Sequence, residues 1–140
     1  MTDYNPSHIP VKQYYLVGQK CVVFNNKGQI LLLKRSEKSG GGGWSIVGGG
    51  LEHGEDPIEG IKREAREETQ LEIQDIKPVL VSSFEEGEDR TLLIFYQAKT
   101  HSDQVVLNWE HGEYKWVTKD QAMKEELSPA LKTLFITISQ

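Results

Sequence analysis

The sequence has 140 residues, with 21 acidic and 16 basic side chains and a formal charge of −5. This length suits one domain with its own core, and a composition of 37% hydrophobic and 26% charged residues is typical of a globular protein. Residues 52–89 contain 13 acidic and 4 basic residues. Since binding to nucleic-acid polymers depends on basic side chains that neutralise phosphates, we expect none here. No apolar run is long enough to span a membrane and no leader pattern opens the chain, so we expect a cytoplasmic protein.

The only cysteine in the sequence is Cys21. One thiol excludes an internal disulfide, cysteine-based zinc sites and Cys-x-x-Cys redox motifs. Its neighbours Val22, Val23 and Phe24 are apolar. We therefore predict a buried structural thiol.

The N-terminal half is predicted to be mostly β-structure after an irregular arm. Residues 1–13 contain two prolines and show little periodicity, which favours an arm without regular structure. Residues 17–24 are apolar and β-branched, residues 25–28 have turn chemistry and residues 30–33 are apolar again. This order predicts a hairpin. A glycine-rich loop over residues 39–43 then leads to a short predicted strand over residues 44–47.

The clearest helix is predicted to run from Pro57 to about Thr69. Asp56 is a good N-cap, Pro57 suits the first helical position, and Glu59 completes the pattern of a capping box. One face of this helix is predicted to be apolar, and its members are Ile58, Ile61 and Ala65.

The C-terminal half alternates predicted strands with a final helix. Residues 73–84 and 91–98 read as long strands joined by an acidic turn over residues 85–89. Residues 105–107 and 114–117 are candidates for shorter strands. Ser128 and Pro129 repeat the signature of a helix start and predict an apolar helix through Leu131, Leu134 and Phe135. No repeat or linker divides the chain, so we expect residues 1–140 to form a single domain.

Three carboxylates lie beside the apolar face of the long helix. A rotation of about 100° per residue places Glu64, Glu67 and Glu68 on one arc next to that face. Like charges at this spacing repel, and carboxylates beside a buried face cannot all relax into water. A divalent cation removes this cost, and Mg²⁺ prefers oxygen ligands of this kind.

The spacing of the whole segment resembles that of a known family. Gly49, then Glu55 after five residues and Arg63 after seven more, followed by Glu64-Ala65-Arg66-Glu67-Glu68, resembles the Nudix box of the Nudix hydrolases. The resemblance extends from about Val17 through the segment 113–117. Two positions depart from the family pattern. Gln70 stands where the family has glycine, which we interpret as the left-handed residue that ends the helix, and Val47 replaces a proline.

The resemblance implies a fold, an ion and an activity. The fold is an α+β, α/β/α sandwich with a mixed central β-sheet and the box loop and helix on one face. The cofactor implied is Mg²⁺, with Mn²⁺ as a substitute, and the reaction is attack of a metal-activated water on a pyrophosphate bond of a nucleoside diphosphate derivative. The implied metal ligands are the three carboxylates and one backbone carbonyl, and they are Glu64, Glu67, Glu68 and Gly48.

The resemblance also implies supporting residues and a general base. Arg63 is implied to orient the glutamates and is therefore included among the catalytic residues. Gly49 and Glu55 are implied to be structural supports. Glu67 is the first candidate for the general base. Within the family the base can also come from a distant loop, where Glu110 is the second candidate and Glu113 a third.

The substrate is less closely defined by the sequence. Lys34 and Arg35, at a strand end, are candidates for binding substrate phosphates, and Trp44 is a candidate for stacking on a base; a solvated or core position is the alternative for each. We expect a small nucleotide, first a (deoxy)nucleoside triphosphate, with ADP-ribose, nucleotide sugars and dinucleoside polyphosphates as alternatives. Family members are often homodimers.

Two other functions are weighed against hydrolysis. A nucleotide-binding regulatory module on the same fold is disfavoured, because every box glutamate is present. Isomerisation of an isoprenoid diphosphate would need a catalytic cysteine in the pocket, and Cys21 is predicted to lie in a core strand instead.

Overall fold

The computed structural model describes residues 4–138 and contains, within that range, seven strands and three α-helices. The strands are β1 (Leu16–Phe24), β2 (Ile30–Arg35), β3 (Trp44–Ser45), β4 (Val47–Gly50), β5 (Gln74–Glu86), β6 (Asp89–Lys99) and β7 (His111–Val117). The helices are α1 (Pro57–Thr69), α2 (Lys119–Met123) and α3 (Pro129–Thr137).

Strand β1 is central in a single mixed sheet. One edge of β1 pairs in parallel with β6 over its full length, from Leu16 opposite Thr91 to Phe24 opposite Lys99. The other edge pairs antiparallel with β4 and then, at Phe24, with β2. Strand β5 forms an antiparallel hairpin with β6, and β7 lies antiparallel to β2. One parallel pair among antiparallel neighbours makes the sheet mixed, as predicted.

Alternating side chains of β1 contribute to two cores. Cys21 and Val23 pack on the side of α1, together with Ile61 and Ala65 of that helix. Val22 and Phe24 pack on the opposite side, where the residues of α3 that enter the core are Leu131, Leu134 and Phe135. Helices therefore cover both faces of the sheet, which confirms the predicted α/β/α sandwich. Cys21 is fully buried, as predicted, and burial raises the pKa of its thiol.

Helix α1 begins and ends where the sequence predicts. The Asp56 carboxylate accepts hydrogen bonds from the backbone N–H groups of Ile58 and Glu59, both at 3.1 Å. Gln70 ends the helix in the left-handed conformation with φ 58°, which confirms its predicted role. The Glu59 carboxylate, for which a capping box was predicted, instead lies 3.7 Å from Lys62 Nζ.

Two predicted strands need correction. Residues 105–107 do not form a strand: Val105 and Leu107 pack against the core beneath α1, and the Val106 N–H donates to the Thr69 carbonyl at 3.0 Å. The backbone of this segment therefore forms a hydrogen bond with the last residue of α1 and does not pair with a strand. The predicted strand over residues 44–47 is divided at Ile46 into β3 and β4, which pair with different neighbours.

Three smaller features complete the comparison with the sequence. Helix α2 was not predicted; it has five residues and is capped by Thr118 and Gln121. The predicted acidic turn shortens to residues 87–88, since β5 and β6 extend into it. Residues 4–13 of the predicted arm contain no helix or strand, and its residues 1–3 lie outside the described residues. Among residues 4–138, no helix is both long and apolar enough to cross a membrane.

Candidate active site

Helix α1 turns two of its glutamates toward β4. Glu68 is only 1% exposed, and its Oε1 accepts a hydrogen bond from the Gly48 N–H at 2.8 Å. Glu64, one turn earlier, is 8% exposed and lies against Gly49, where an added Cβ would stand 2.4 Å from Glu64 Oε1. The glycines of β4 therefore allow the backbone to approach both carboxylates closely.

Arg63 connects the loop before α1 to the helix. Its guanidinium donates to both carboxylate oxygens of Glu55, at 2.6 and 3.0 Å, to the Glu67 carboxylate at 3.1 Å and to the Gly50 carbonyl at 3.2 Å. The hydrogen bond from Arg63 is the main reason that the pKa of Glu55 falls to about 2. Arg63 Nη1 also lies 3.2 Å from Glu64 Oε1. The arginine thus orients the acidic groups. Each of its three guanidinium nitrogens already donates a hydrogen bond within this network.

Burial raises the pKa of Glu64 and Glu68, whereas the pKa of Glu55 is lowered. Burial raises the pKa of Glu68 to about 8, although the Gly48 N–H partly offsets this. Burial also raises the pKa of Glu64, against the attraction of Arg63. Within residues 4–138, no lysine or arginine nitrogen lies within 4.0 Å of the Glu68 carboxylate. Glu68 is therefore a buried acid without a neutralising cation beside it.

A second segment reaches the same place from far along the chain. Ligand atoms of Glu68, Glu110 and His111 all lie within 4.8 Å of one another. His111 is 8% exposed, its Nδ1 lies 3.8 Å from Glu68 Oε2, and that nitrogen has no hydrogen-bond partner among the described residues. Burial lowers the pKa of His111, which favours the neutral ring that can bind a metal ion.

The sequence predicted Glu110 but missed His111. None of the four histidines in the sequence has the spacing of a zinc motif, and the family resemblance implies none of them as a ligand. The available signal was the position of His111 directly after the loop candidate Glu110, at the start of a predicted strand. His111 approaches Glu68, which lies 43 positions earlier in the chain, and no local pattern reveals that contact.

Glu110 also lines a cleft of about 380 Å³ on the sheet. Its lining includes Lys20 of β1, Arg35 at the end of β2, the glycines 48–50 of β4, and Glu110. Arg35 donates a hydrogen bond to the Ser39 carbonyl, and Ser39 and Ser36 in turn donate to the Glu110 carbonyl. Hydrogen bonds thus connect the loop after β2 with the loop before β7 beside the cleft. A larger cavity, of about 610 Å³, lies at the other end of β1 and is lined by none of the predicted site residues.

Lys34 and Trp44 lie apart from this cleft. Lys34 Nζ is 3.7 Å from a Glu113 carboxylate oxygen, and the Trp44 ring lies beneath Lys115 Nζ, 4.3 Å from its centroid. Trp44 packs against the core on the α3 side, and neither residue is among the described residues that line the cleft. Their predicted roles in substrate binding stay predictions.

The donor set suits a divalent cation. It combines buried carboxylates whose charge is costly, a nearby carboxylate from the loop and an imidazole nitrogen without a partner. Hard divalent ions such as Mg²⁺ and Mn²⁺ bind carboxylate oxygens, and an imidazole nitrogen is a common ligand of divalent transition-metal ions. A cation at this position would neutralise the buried Glu68 and occupy the unpartnered His111 nitrogen.

Comparison with known proteins identifies the family. The model of the NUDIX domain matches residues 15–136. The nucleoside triphosphatase NudI of Enterobacter sp. (strain 638) is 30% identical over 128 residues, which cover 82% of this chain and 91% of that protein. The MutT protein of Methanosarcina mazei Go1 is 31% identical with a TM-score of 0.71, over 91% of this chain and 94% of that one. The MutT NUDIX hydrolase of Burkholderia pseudomallei is 20% identical and shows the same fold, with a TM-score of 0.76 over 91% of this chain and all of that one.

The family match and the fold define a hydrolase that acts on acid anhydrides in phosphorus-containing compounds. The chain belongs to the Nudix family, of the kind that hydrolyses pyrophosphate bonds in nucleotides.

Proposed function

We propose that this protein is a Mg²⁺-dependent hydrolase of (deoxy)nucleoside triphosphates, carried by a single domain. The observation that carries the proposal is the buried Glu68, which has no lysine or arginine nitrogen within 4.0 Å among residues 4–138 and lies next to His111 and Glu110. Glu110 in turn lines a cleft together with Arg35. Carboxylates on one side and a guanidinium on the other suit a substrate whose phosphates need both metal and cationic partners.

The residues that would hold the ion are Glu64, Glu67 and Glu68, with the Gly48 carbonyl, as the family resemblance implies. Glu110 and His111 join this set on the strength of their distances to Glu68. A divalent ion bound there supplies charge neutralisation for the phosphates and lowers the pKa of its bound water.

The side chains of the chain itself have separable tasks. Arg63 holds Glu67 and Glu55 in fixed orientations through its guanidinium hydrogen bonds. Glu67 is half-exposed, with a side-chain exposure of 51%, so its carboxylate can accept a proton from a water in the cleft and pass it to solvent. Arg35 would bind a phosphate group of the substrate, and its position in the lining of the cleft supports this role.

Glu67 remains the first candidate for the general base, and Glu110 the second. Glu110 is partly buried and lies beside Glu68, which favours a role close to the ion. Glu113 is the weakest of the three, because its side chain is 64% exposed and paired with Lys34.

The choice of a nucleoside triphosphate is supported by the relatives. NudI, at 30% identity, is named a nucleoside triphosphatase, and MutT proteins share the fold. ADP-ribose, nucleotide sugars and dinucleoside polyphosphates remain alternative substrates. The cytoplasmic location and the homodimer expected from the sequence also stay predictions.

The test is a hydrolysis screen in Mg²⁺ over nucleoside triphosphates, ADP-ribose, nucleotide sugars and dinucleoside polyphosphates. Glu67→Gln is the test variant, and Glu59→Gln, an exposed carboxylate on the same helix, is its matched control. We expect wild type and Glu59→Gln to hydrolyse triphosphates fastest and Glu67→Gln to lose turnover with unchanged melting. Near-normal turnover by Glu67→Gln would transfer the role of base to Glu110. Metal binding without hydrolysis of any compound would favour the regulatory module.

A further inference from the structure

One lysine of β1 points into the cleft and has no role in the family resemblance. Val22 and Phe24 of β1 lie on the α3 side of the sheet, and strand alternation places Lys20 on that same side. Helices cover the sheet at Val22 and Phe24, whereas at Lys20 the sheet is open and forms part of the lining of the cleft. On this side of β1, the cationic side chain of Lys20 therefore follows in line with the apolar side chains of Val22 and Phe24.

The side chain of Lys20 is held in place along its stem. Lys20 is paired with Gly48 across the β1–β4 ladder, and an added Cβ at Gly48 would stand 2.7 Å from Lys20 Cγ. The stem therefore passes over a glycine, where any larger residue would obstruct it. Its Nζ donates to Ser45 Oγ at 3.3 Å. An ammonium group has three donors, and no other partner of this one is found among residues 4–138.

The charges around Lys20 are of both signs. Burial lowers the pKa of Lys20, the carboxylates of Glu68 and Glu64 oppose that change, and the positive charge of Arg35 adds to it. No carboxylate oxygen of the described residues lies within 4.0 Å of Lys20 Nζ, so the ammonium is not in contact with the acidic cluster. Lys20 and Arg35 instead place two repelling cations on one cleft. An anion bound between them would convert that repulsion into attraction.

We propose that Lys20 is a phosphate-binding residue that acts together with Arg35 on the phosphate chain of the substrate. The proposal rests on the proposed function, because it assigns Lys20 a contact with the same nucleotide. An ammonium group is a common ligand of phosphate, and the unused donors of Lys20 Nζ are available for charge-assisted hydrogen bonds. The acidic cluster would then hold the metal ion, while the two cations hold phosphate oxygens.

The alternative is that Lys20 is only a distant counterion of Glu68. In that case, removal of the charge would alter the stability of the protein and leave its affinity for a phosphate chain unchanged. The two roles are therefore separated by a binding measurement.

The probe is methylenediphosphonate, an analogue of pyrophosphate that cannot be hydrolysed, titrated by calorimetry in saturating Mg²⁺. Lys20→Met keeps the stem over Gly48 and removes the charge, Lys20→Arg restores a charge, and Lys20→Gln is a second neutral variant in case the first does not fold. Lys99→Met, an exposed lysine at the far end of the neighbouring strand β6, is the matched control.

We expect the neutral Lys20 variants to bind the analogue about tenfold more weakly or worse, the loss typical of one hydrogen bond to a charged group. Lys20→Arg should lie within a few-fold of wild type, and Lys99→Met should equal it. The same neutral variants should raise KM for the nucleotide more than they lower kcat. Unchanged affinity and KM in both neutral variants, or no binding of the analogue to the wild type, would overturn the assignment.

Failure of the proposed function has a different signature. If the wild type hydrolyses no nucleoside triphosphate but binds the analogue in a way that depends on Lys20, the substrate proposal is refuted and the role of Lys20 is kept. If hydrolysis is normal and the Lys20 variants bind normally, only the role of Lys20 is refuted.

Discussion

Replacing Glu68 by glutamine should stabilise the metal-free protein at neutral pH. The carboxyl of Glu68 has a pKa of about 8 in the folded protein against 4.5 for an ordinary glutamate. Between those values the unfolded chain loses the proton that the native state keeps, so stability falls as the pH rises, by about 1.4 kcal/mol per unit. At pH 7 the accumulated cost is about 3 kcal/mol. Glutamine carries no charge, and its amide oxygen can still accept the Gly48 N–H.

The assay is equilibrium unfolding in urea with a chelator present, at pH 5, 6, 7 and 8. Glu68→Gln should exceed wild type by less than about 1 kcal/mol at pH 5 and by increasingly more toward pH 8, while the exposed Glu59→Gln should follow wild type throughout. Saturating Mg²⁺ should stabilise wild type at pH 8 and stabilise Glu68→Gln much less. Parallel pH profiles for wild type and Glu68→Gln would refute the claim that a buried, unneutralised carboxylate dominates this site.

Two further predictions concern the backbone around α1. Gly49→Ala would place a methyl carbon 2.4 Å from Glu64 Oε1 and should lower kcat by about a hundredfold through displacement of that carboxylate; Gly50→Ala, whose methyl group meets nothing within 4 Å, is its control, and equal rates in the two variants would contradict the packing argument. Gln70→Gly should raise the free energy of unfolding by about 1 kcal/mol, because φ 58° suits glycine. Gln70→Ala should give no such gain in the same urea titration, and a loss of stability in Gln70→Gly would show that the Gln70 side chain matters more than the backbone.

The parts of the fold that depend on local pattern were predicted well. Helix α1 begins after Asp56 and ends at Gln70, as predicted. Each end is determined by residues within one turn of it. The apolar and β-branched residues 17–24 predicted a strand with a buried Cys21, and both agree with the structure. The family resemblance implied supporting roles for Glu55 and Arg63, and these two side chains, only eight positions apart in the chain, form a hydrogen bond. The roles themselves stay predictions.

The errors have a common cause. Residues 105–107 have the apolar pattern of a strand, yet their backbone bonds the end of α1, a partner that no local pattern reveals. The five residues of α2 are too short for a periodic signal, so the helix is defined by its cap at Thr118.

By itself, the sequence determined helix α1 and the positions of Glu64, Glu67 and Glu68 on it, because these depend on spacing within one segment. Only the tertiary structure decided what those glutamates face. The parallel pairing of β1 with β6 and the insertion of β4 beside β1 place Lys20 next to Gly48 and open the cleft there. The position of β7 beside β2 brings Glu110 and His111 to Glu68. These contacts join residues that are far apart in the chain, and the free energy that forms them comes from burying two cores on opposite faces of one sheet, a property of the whole chain.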